Sequence, residues 1–237
     1  MSVRRLDPEQ PASFAFTKEN LAWADATIAK YPAGKQASAV ILLLWRAHEQ
    51  DGWLTKPAIE WTANKLGMSY IRVLEVATFY TQFQLSPVGT SAHFQVCGTT
   101  PCMLRGAGAL LDVCKKHIAP RPFERTSDGK LSWEEVECLG ACVNAPMMLV
   151  GKDTYEDLTP TSFLEIIDDF QRGEIPEPGP QIDRVLSAPV GGPTTLTDQR
   201  LFDGSVVGSW RKAFDERETA RAEKAAAAAA AAAAPKA

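Results

Sequence analysis

Apolar side chains recur at every third or fourth position over residues 1–88, which is the spacing of amphipathic helices. A first helix is predicted to begin after Thr17, whose hydroxyl is a suitable N-cap. Its inner face is predicted to consist of Leu21, Ala24 and Ile28. Segments of the same periodicity follow over residues 40–51, 55–66 and 69–82. We therefore expect a small helical bundle over residues 1–88.

The segments 55–66 and 69–82 meet at Gly67-Met68 in the manner of a helix-turn-helix. The second segment is mostly apolar, whereas a recognition helix carries several polar side chains that contact base edges. A packing or docking role is therefore the better interpretation. The formal net charge of -4 and the lack of a long basic run also give no sign of a nucleic-acid surface.

The periodicity changes after Ser86-Pro87, where short strand-like runs alternate with helical ones. In chain order, the pattern predicts a strand over 93–96, a helix over 103–117, a strand over 132–137, a hairpin of 147–150 and 154–158, and a helix from Thr159-Pro160 to about Arg172. This order within residues 89–173 predicts a compact α+β domain of thioredoxin-like type.

Residues 174–237 have little apolar periodicity of their own. The proline- and glycine-rich stretch after Gly173 predicts an extended arm that becomes ordered only against a partner or another surface. The end of the chain, from Arg211, favours a helix and then runs into alanines from Ala225, which offer almost no apolar face. We expect a frayed, solvent-exposed helix or disorder there.

Composition places the chain among ordinary globular proteins, with 237 residues, of which 45% are hydrophobic and 23% charged. The longest apolar stretch before the tail, residues 37–45, is far short of the ~20 residues that a membrane span needs. The first residues lack a secretory apolar run and include acidic side chains. We expect a cytosolic protein that is not inserted into a membrane.

Four of the five cysteines form two close pairs. Cys97-Gly-Thr-Thr-Pro-Cys102 and Cys138-Leu-Gly-Ala-Cys142 each follow a predicted strand, so both pairs can converge at one end of a sheet. Four thiolates fill the terminal positions of a two-iron, two-sulfide cluster, and the first spacing is that of plant-type ferredoxins. The pattern predicts one [2Fe–2S] cluster on Cys97, Cys102, Cys138 and Cys142.

Other chemistries compete for these cysteines. A structural zinc ion also binds four cysteines, and this alternative stays open. A dithiol oxidoreductase needs a Cys-x2-Cys pair, which neither motif has. Rieske ligation needs two histidines, and His48, His93 and His117 do not flank the cysteines in a paired pattern. The fifth cysteine, Cys114, falls inside a helical pattern and is predicted to be a buried, inert thiol.

The two cysteine motifs resemble a known family. Cys97-Gly-Thr-Thr-Pro-Cys102-Met-Leu-Arg and Val136-Glu-Cys-Leu-Gly-Ala-Cys142-Val-Asn-Ala-Pro-Met resemble the E-type component of NADH:quinone oxidoreductase, respiratory complex I, which is its thioredoxin-like [2Fe–2S] ferredoxin subunit. Supporting stretches lie at residues 70–80, 155–158 and 189–197, and the resemblance covers residues 14–200. It does not cover the final tail.

The resemblance implies a four-helix N-terminal part, a thioredoxin-like cluster domain and an extended C-terminal arm. In that family, cysteines at the positions of Cys97, Cys102, Cys138 and Cys142 hold the cluster. Thioredoxin-like folds often place a cis proline before the strand that follows, so Pro146 is a candidate for a cis peptide bond.

The function that the resemblance implies is single-electron exchange with FMN on a flavoprotein subunit, which also binds NADH. The large iron–sulfur subunit of the same module is the second expected partner, and the complex is expected at the cytoplasmic side of a bacterial inner membrane. The chain has no Rossmann glycine fingerprint, phosphate loop or flavin site, so we expect a component of an enzyme. A diaphorase subunit of an NAD-linked hydrogenase or formate dehydrogenase, and a zinc-stabilised scaffold without redox chemistry, remain as alternatives.

Overall fold

The computed structural model describes residues 4–192, 194–198, 212 and 214–223. In its first part, a 3-10 turn at Gln36–Ala39 and four α-helices follow one another. The helices are α1 (Lys18–Ile28), α2 (Val40–Asp51), α3 (Lys56–Leu66) and α4 (Tyr70–Phe79). The predicted helical bundle is therefore confirmed.

Local sequence sets where these helices begin and end. The hydroxyls of Thr17 and Thr55 accept hydrogen bonds from backbone N–H groups in the first turns of α1 and α3. The helices α2 and α3 stop at Gly52 and Gly67, whose φ angles of 79° and 65° lie in the left-handed region that glycine adopts without a steric penalty.

The buried stripe of α1 differs from the prediction at one position. Ala24 is fully buried and Ile28 packs against the helical core, but Leu21 is exposed, so its placement on the inner face was wrong. Thr27 is buried instead. Ala24, Thr27 and Ile28 have the i, i+3, i+4 spacing of one helical face, and this face begins only after the first turn of α1.

The N-terminal segment contacts the chain where α4 ends. The Arg4 guanidinium donates to the carbonyl oxygens of Thr78 at 3.3 Å and Tyr80 at 2.9 Å, and also to that of Phe83. Tyr80 is extended, with φ -81° and ψ 112°, so α4 ends at Phe79 and not near residue 82 as the periodicity predicts. Carbonyl groups that α4 leaves unpaired at its end are thereby satisfied by a side chain.

A five-stranded sheet follows in the spatial order β2-β1-β3-β4-β5. The strands are β1 (Ala92–Cys97), β2 (Leu131–Val136), β3 (Met148–Val150), β4 (Asp153–Glu156) and β5 (Gly179–Pro180). Strand β1 pairs parallel to β2 and antiparallel to β3, whereas β4 pairs antiparallel to β3 and parallel to β5. The associated helices are α5 (Thr100–Leu104), α6 (Ala107–His117) and α7 (Pro160–Arg172).

The two faces of the sheet differ in chemistry. One face carries alternate residues of β1 and β2, such as Phe94, Val96 and Trp133, and packs against α6 and α7 in an apolar core. In this core the indole N–H of Trp133 donates to the Ala119 carbonyl oxygen at 2.8 Å. The other face carries the intervening, more polar residues. The mixed sheet with helices confirms the predicted α+β class.

Two local features differ from the sequence pattern. The helix predicted over 103–117 is divided into α5 and α6, because Gly106 has a φ of 104° that interrupts the helical path. Cys102 therefore lies inside the short helix α5 and not before a longer one. The strand β5 was not predicted, because Gly179 and Pro180 have weak strand propensity.

The first part of the arm is hydrogen-bonded to strand β4. Besides the β4–β5 pairing, the Tyr155 hydroxyl donates to the Pro176 carbonyl oxygen at 3.2 Å, and the Gln181 N–H donates to the Glu156 carbonyl oxygen at 2.9 Å. The expectation that the whole arm needs a partner to become ordered is therefore wrong for this segment. The predicted domain boundaries at 88/89 and 173/174 stay predictions.

The chain divides into two units, Met1–Ile182 and Asp183–Ala237. In the second unit Val185, Leu186 and Val190 are exposed, and residues 214–223 are helical. The alanine run from Ala225 lies outside the described residues. None of the helices in the described part of the chain has the length and apolar content that crossing a membrane requires.

The apolar core under α7 generates a stability prediction. Phe163 is fully buried, with its ring centroid 5.6 Å from that of Phe94 in an edge-to-face contact. We expect Phe163→Ala to lower the free energy of unfolding by about 3–5 kcal/mol, because it leaves a cavity. Leu104, which is 82% exposed, supplies the control, and Leu104→Ala should change the value by less than about 0.5 kcal/mol in urea unfolding. Equal effects would contradict the assignment of this core.

Candidate metal centre

The four predicted ligand residues come from the ends of the two parallel strands. Cys97 is the last residue of β1, and Cys102 follows in α5. Cys138 lies just after β2, and Cys142 begins a 3-10 turn, Cys142–Asn144. Because parallel strands end at the same edge of a sheet, both pairs reach one location.

The four thiols form two pairs. The sulfur atoms of Cys138 and Cys142 are 3.4 Å apart, and the thiols of Cys97 and Cys102 hydrogen-bond to each other. Electrostatic interactions of Cys142 with Cys97 and Cys102 connect the two pairs. Cys97 and Cys102 are each only 1% exposed, whereas Cys138 and Cys142 are exposed. The centre thus has a buried side and a solvent-facing side.

Backbone N–H groups converge on the buried sulfurs. Burial acts to raise the pKa of Cys97, but the N–H of Thr99, the Cys102 thiol, the N–H of Leu139 and the Thr99 hydroxyl outweigh it and lower this pKa. Burial and the hydrogen bond with Cys97 raise the pKa of Cys102 to about 11, against the N–H of Met147. Donors of this kind stabilise negative charge on sulfur.

The donor set fits an iron–sulfur cluster. Soft thiolates are the ligands that cluster irons prefer, and two pairs supply two thiolates to each of two irons. Among the described residues, no three His, Cys, Asp or Glu side chains are arranged to chelate a single metal ion. Two pairs of thiols supply the number and type of ligands that a two-iron centre takes.

The loop that carries Cys142 is fastened to the chain after β4. The N–H groups of Asp157 and Leu158 donate to the carbonyl oxygens of Asn144 at 2.7 Å and Pro146 at 3.0 Å. The buried Asn144 amide also donates to the Glu156 carboxylate at 2.6 Å. The Ala145–Pro146 peptide bond is cis, as the resemblance to thioredoxin-like folds implied for Pro146. These contacts hold the loop in one position beside β1.

Cys114 lies away from the two pairs. It is fully buried in the apolar core between α6 and the sheet, where burial raises the pKa of its thiol to about 12. A thiol in such surroundings is almost entirely protonated at neutral pH. The prediction that Cys114 is buried is confirmed.

The polar face of the sheet holds a hydrogen-bonded network that the sequence pattern did not predict. The carboxylate of Glu134 is 7% exposed and accepts hydrogen bonds from Gln84 at 2.6 Å, Gln95 at 2.8 Å and His93 at 3.1 Å. Ser132 lies 2.7 Å from the second ring nitrogen of His93. The sequence does show polar residues at every second position of both strands. It does not show the register in which the two strands pair, and this register brings the polar residues together.

A cavity of about 570 Å³ lies between this polar face and α2. His48 and Trp45 of α2 form one wall, where their rings stack at 5.6 Å, and Cys138 forms part of another. Burial lowers the pKa of His48 to about 4, and the nearby His93 acts in the same direction against Glu49. His48 is therefore neutral at pH 7.

Comparison with known proteins relates the chain to one family and to several named relatives. Residues 24–171 match the family described as thioredoxin-like [2Fe–2S] ferredoxin. The chain is 64% identical to an E-type subunit (E 1) of the NADH-quinone oxidoreductase of Rhizobium meliloti, over 92% of this chain and 80% of the relative. It is 51% identical to the E-type subunit of the NADH-quinone oxidoreductase of Rickettsia bellii, over 66% of this chain and 93% of the relative. A solved NAD+-reducing [NiFe]-hydrogenase is 22% identical with a TM-score of 0.49, over 56% of this chain and 22% of that one.

His48 generates a prediction for acid stability. Its pKa falls from 6.5 to about 4 on folding, so between these pH values the unfolded chain binds a proton that the folded chain does not. The free energy of unfolding should decrease as the pH falls from 6.5 to 4, by about 2–3 kcal/mol from this group. We expect His48→Gln to flatten this slope in urea unfolding, whereas His117→Gln, at an exposed position in α6, should retain it. An unchanged slope in His48→Gln would contradict the prediction.

Proposed function

The chain belongs to the thioredoxin-like [2Fe–2S] ferredoxin family, among relatives that are E-type subunits of NADH-quinone oxidoreductase, and we propose that it is the electron-transfer subunit of such a complex. In this proposal Cys97, Cys102, Cys138 and Cys142 hold one [2Fe–2S] cluster. The observation that carries the assignment is the convergence of two thiol pairs at one edge of the sheet.

When bound, the cluster supplies one-electron transfer. The chain's own groups prepare the site for the negative charge that reduction adds. The N–H groups of Thr99, Leu139 and Met147 donate to the buried thiols. N–H donation of this kind stabilises the more anionic state. The exposed Cys138 and Cys142 give the centre a side that a redox partner can approach.

We propose that the partner on this side is the flavoprotein subunit that binds NADH and FMN, with the large iron–sulfur subunit as a second neighbour. The proposed assembly, and its position at the cytoplasmic side of a bacterial inner membrane, rest on the similarity to the E-type subunits. The exposed apolar side chains of Met103 and Leu104, which follow Cys102 directly, support a protein contact near the cluster. The exposed residues of the arm after Ile182 are a second candidate contact.

The respiratory assignment is favoured over a hydrogenase or formate dehydrogenase module by the extent of the match to the Rhizobium meliloti subunit, which covers 92% of this chain.

The metal and sulfide content of the purified chain distinguishes an electron-transfer subunit from a zinc-stabilised scaffold. Anaerobically purified chain should be coloured and contain two irons and two acid-labile sulfides per chain. A colourless, zinc-loaded chain would contradict the proposal.

Single substitutions test the ligand set. Replacement of Cys97, Cys102, Cys138 or Cys142 by Ser should remove the cluster or change its spectrum, because a hard oxygen ligand suits cluster iron poorly. Cys114→Ser is the matched control and should retain the visible spectrum and the iron content. An intact cluster in Cys138→Ser together with cluster loss in Cys114→Ser would overturn the assignment.

A surface substitution tests the flavoprotein contact. Leu104→Glu places a charge on an 82% exposed apolar side chain next to the cluster loop. We expect the dissociation constant for the flavoprotein subunit to increase at least tenfold, since an apolar contact is replaced by a buried charge. Ile71→Glu, at a 56% exposed position in α4, should leave it within about twofold of the wild type. Equal binding by both variants would place the contact elsewhere.

A further inference from the structure

Glu134 occupies a particular position relative to the buried pair of ligands. In the parallel register Gln95 pairs with Glu134 and Cys97 pairs with Val136. Side chains alternate between faces along a strand, so His93, Gln95 and Cys97 share one face, and Glu134 lies on the same face of the neighbouring strand. Val136, the partner of Cys97, lies two residues after Glu134 on β2. At ~3.3 Å per residue, the backbone of Glu134 is therefore ~7 Å from that of Val136 along the strand.

The carboxylate of Glu134 is ionised in spite of its burial. Burial acts to raise the pKa of Glu134, but the hydrogen bond and electrostatic attraction of His93 and the hydrogen bonds from Gln95 and Gln84 outweigh it and lower this pKa. The guanidinium of Arg4 also interacts electrostatically with Glu134. Because Arg4 is partly exposed and Glu134 is buried, water screens the charge of Arg4 more than that of Glu134. The buried carboxylate, which lies 3.1 Å from His93, is therefore on the same face of the sheet as Cys97.

The helical bundle determines where this charge lies. Gln84, which makes the shortest of the three hydrogen bonds, belongs to the segment between α4 and β1. Its own carbonyl oxygen accepts the Leu54 N–H at 2.7 Å. Residues of the sheet and of the helical part thus hold the same carboxylate oxygen.

We propose that Glu134 lowers the reduction potential of the cluster through its buried charge. This inference rests on the proposed function, because it requires a cluster on Cys97. Reduction adds one electron to a centre that is already anionic, and a nearby fixed negative charge opposes this step. For unit charges ~10 Å apart at an effective dielectric constant of ~20, the equilibrium constant for reduction changes about tenfold or more.

The test is a redox titration of the full, cluster-loaded chain, monitored by electron paramagnetic resonance at fixed pH and ionic strength. In Glu134→Gln, which removes the charge and keeps the shape, reduction should become about tenfold more favourable. Glu134→Asp keeps the charge and should stay within about threefold of the wild type. Glu165→Gln, on the exposed side of α7, is the matched control for loss of a glutamate charge and should have no effect.

The variants distinguish an effect of the lost charge on the reduction potential from an effect of altered packing. A wild-type potential in folded Glu134→Gln overturns the proposal, and so does an equal shift in Glu134→Asp, which would show that altered packing is responsible. If Glu134→Gln does not fold, Gln84→Leu/Glu134→Leu removes the charge together with its closest hydrogen-bond donor and leaves apolar side chains of similar size. A more positive potential in this variant supports the proposal, and an unchanged one overturns it. Iron and sulfide analysis of the wild type comes first, so absence of a cluster identifies failure of the proposed function itself.

Discussion

The parallel pairing of β1 and β2 is the contact on which the metal centre depends. It runs in unbroken register from Ala92 opposite Leu131 to Cys97 opposite Val136. Because both strands end at the same edge, the two cysteine-bearing loops leave the sheet side by side. An antiparallel pairing of the same strands would place the loops at opposite ends, ~20 Å apart for strands of six residues. The chain between them includes α6, which provides the crossover that parallel strands require.

The two faces of this strand pair have separate roles. The apolar face packs on α6 and α7 and provides most of the burial that stabilises the domain. The opposite face buries the charge of Glu134, which is tolerable only because Gln84, Gln95 and His93 hydrogen-bond to it. One of these donors comes from the segment that leads out of the helical bundle. The sheet therefore connects the position of the helices with the surroundings of the thiols.

The thiol centre is asymmetric in a manner that suits electron transfer. Cys97 and Cys102 are shielded from water and surrounded by N–H donors, whereas Cys138 and Cys142 face the outside. Shielding protects the centre and keeps electrostatic interactions strong, and the exposed side shortens the path to a partner. The relatives at 64% and 51% identity are named as subunits of a larger oxidoreductase, and this division between a protected and an open side is consistent with such a role.

The sequence by itself determined the features that local chemistry controls. Threonine caps, terminal glycines and apolar periodicity located the helices α1 to α4 and α7, and the spacing of the two cysteine pairs identified the candidate ligands. Only the tertiary structure decided the register of the strands and the contacts between residues that are distant in the chain. It set the exposed position of Leu21, the β5 pairing and the Glu134 network, because each depends on residues far apart in the chain. Partners such as Gln84 and Glu134, fifty residues apart, leave no periodic signal in the sequence, since their contact is created by the folding of the whole domain.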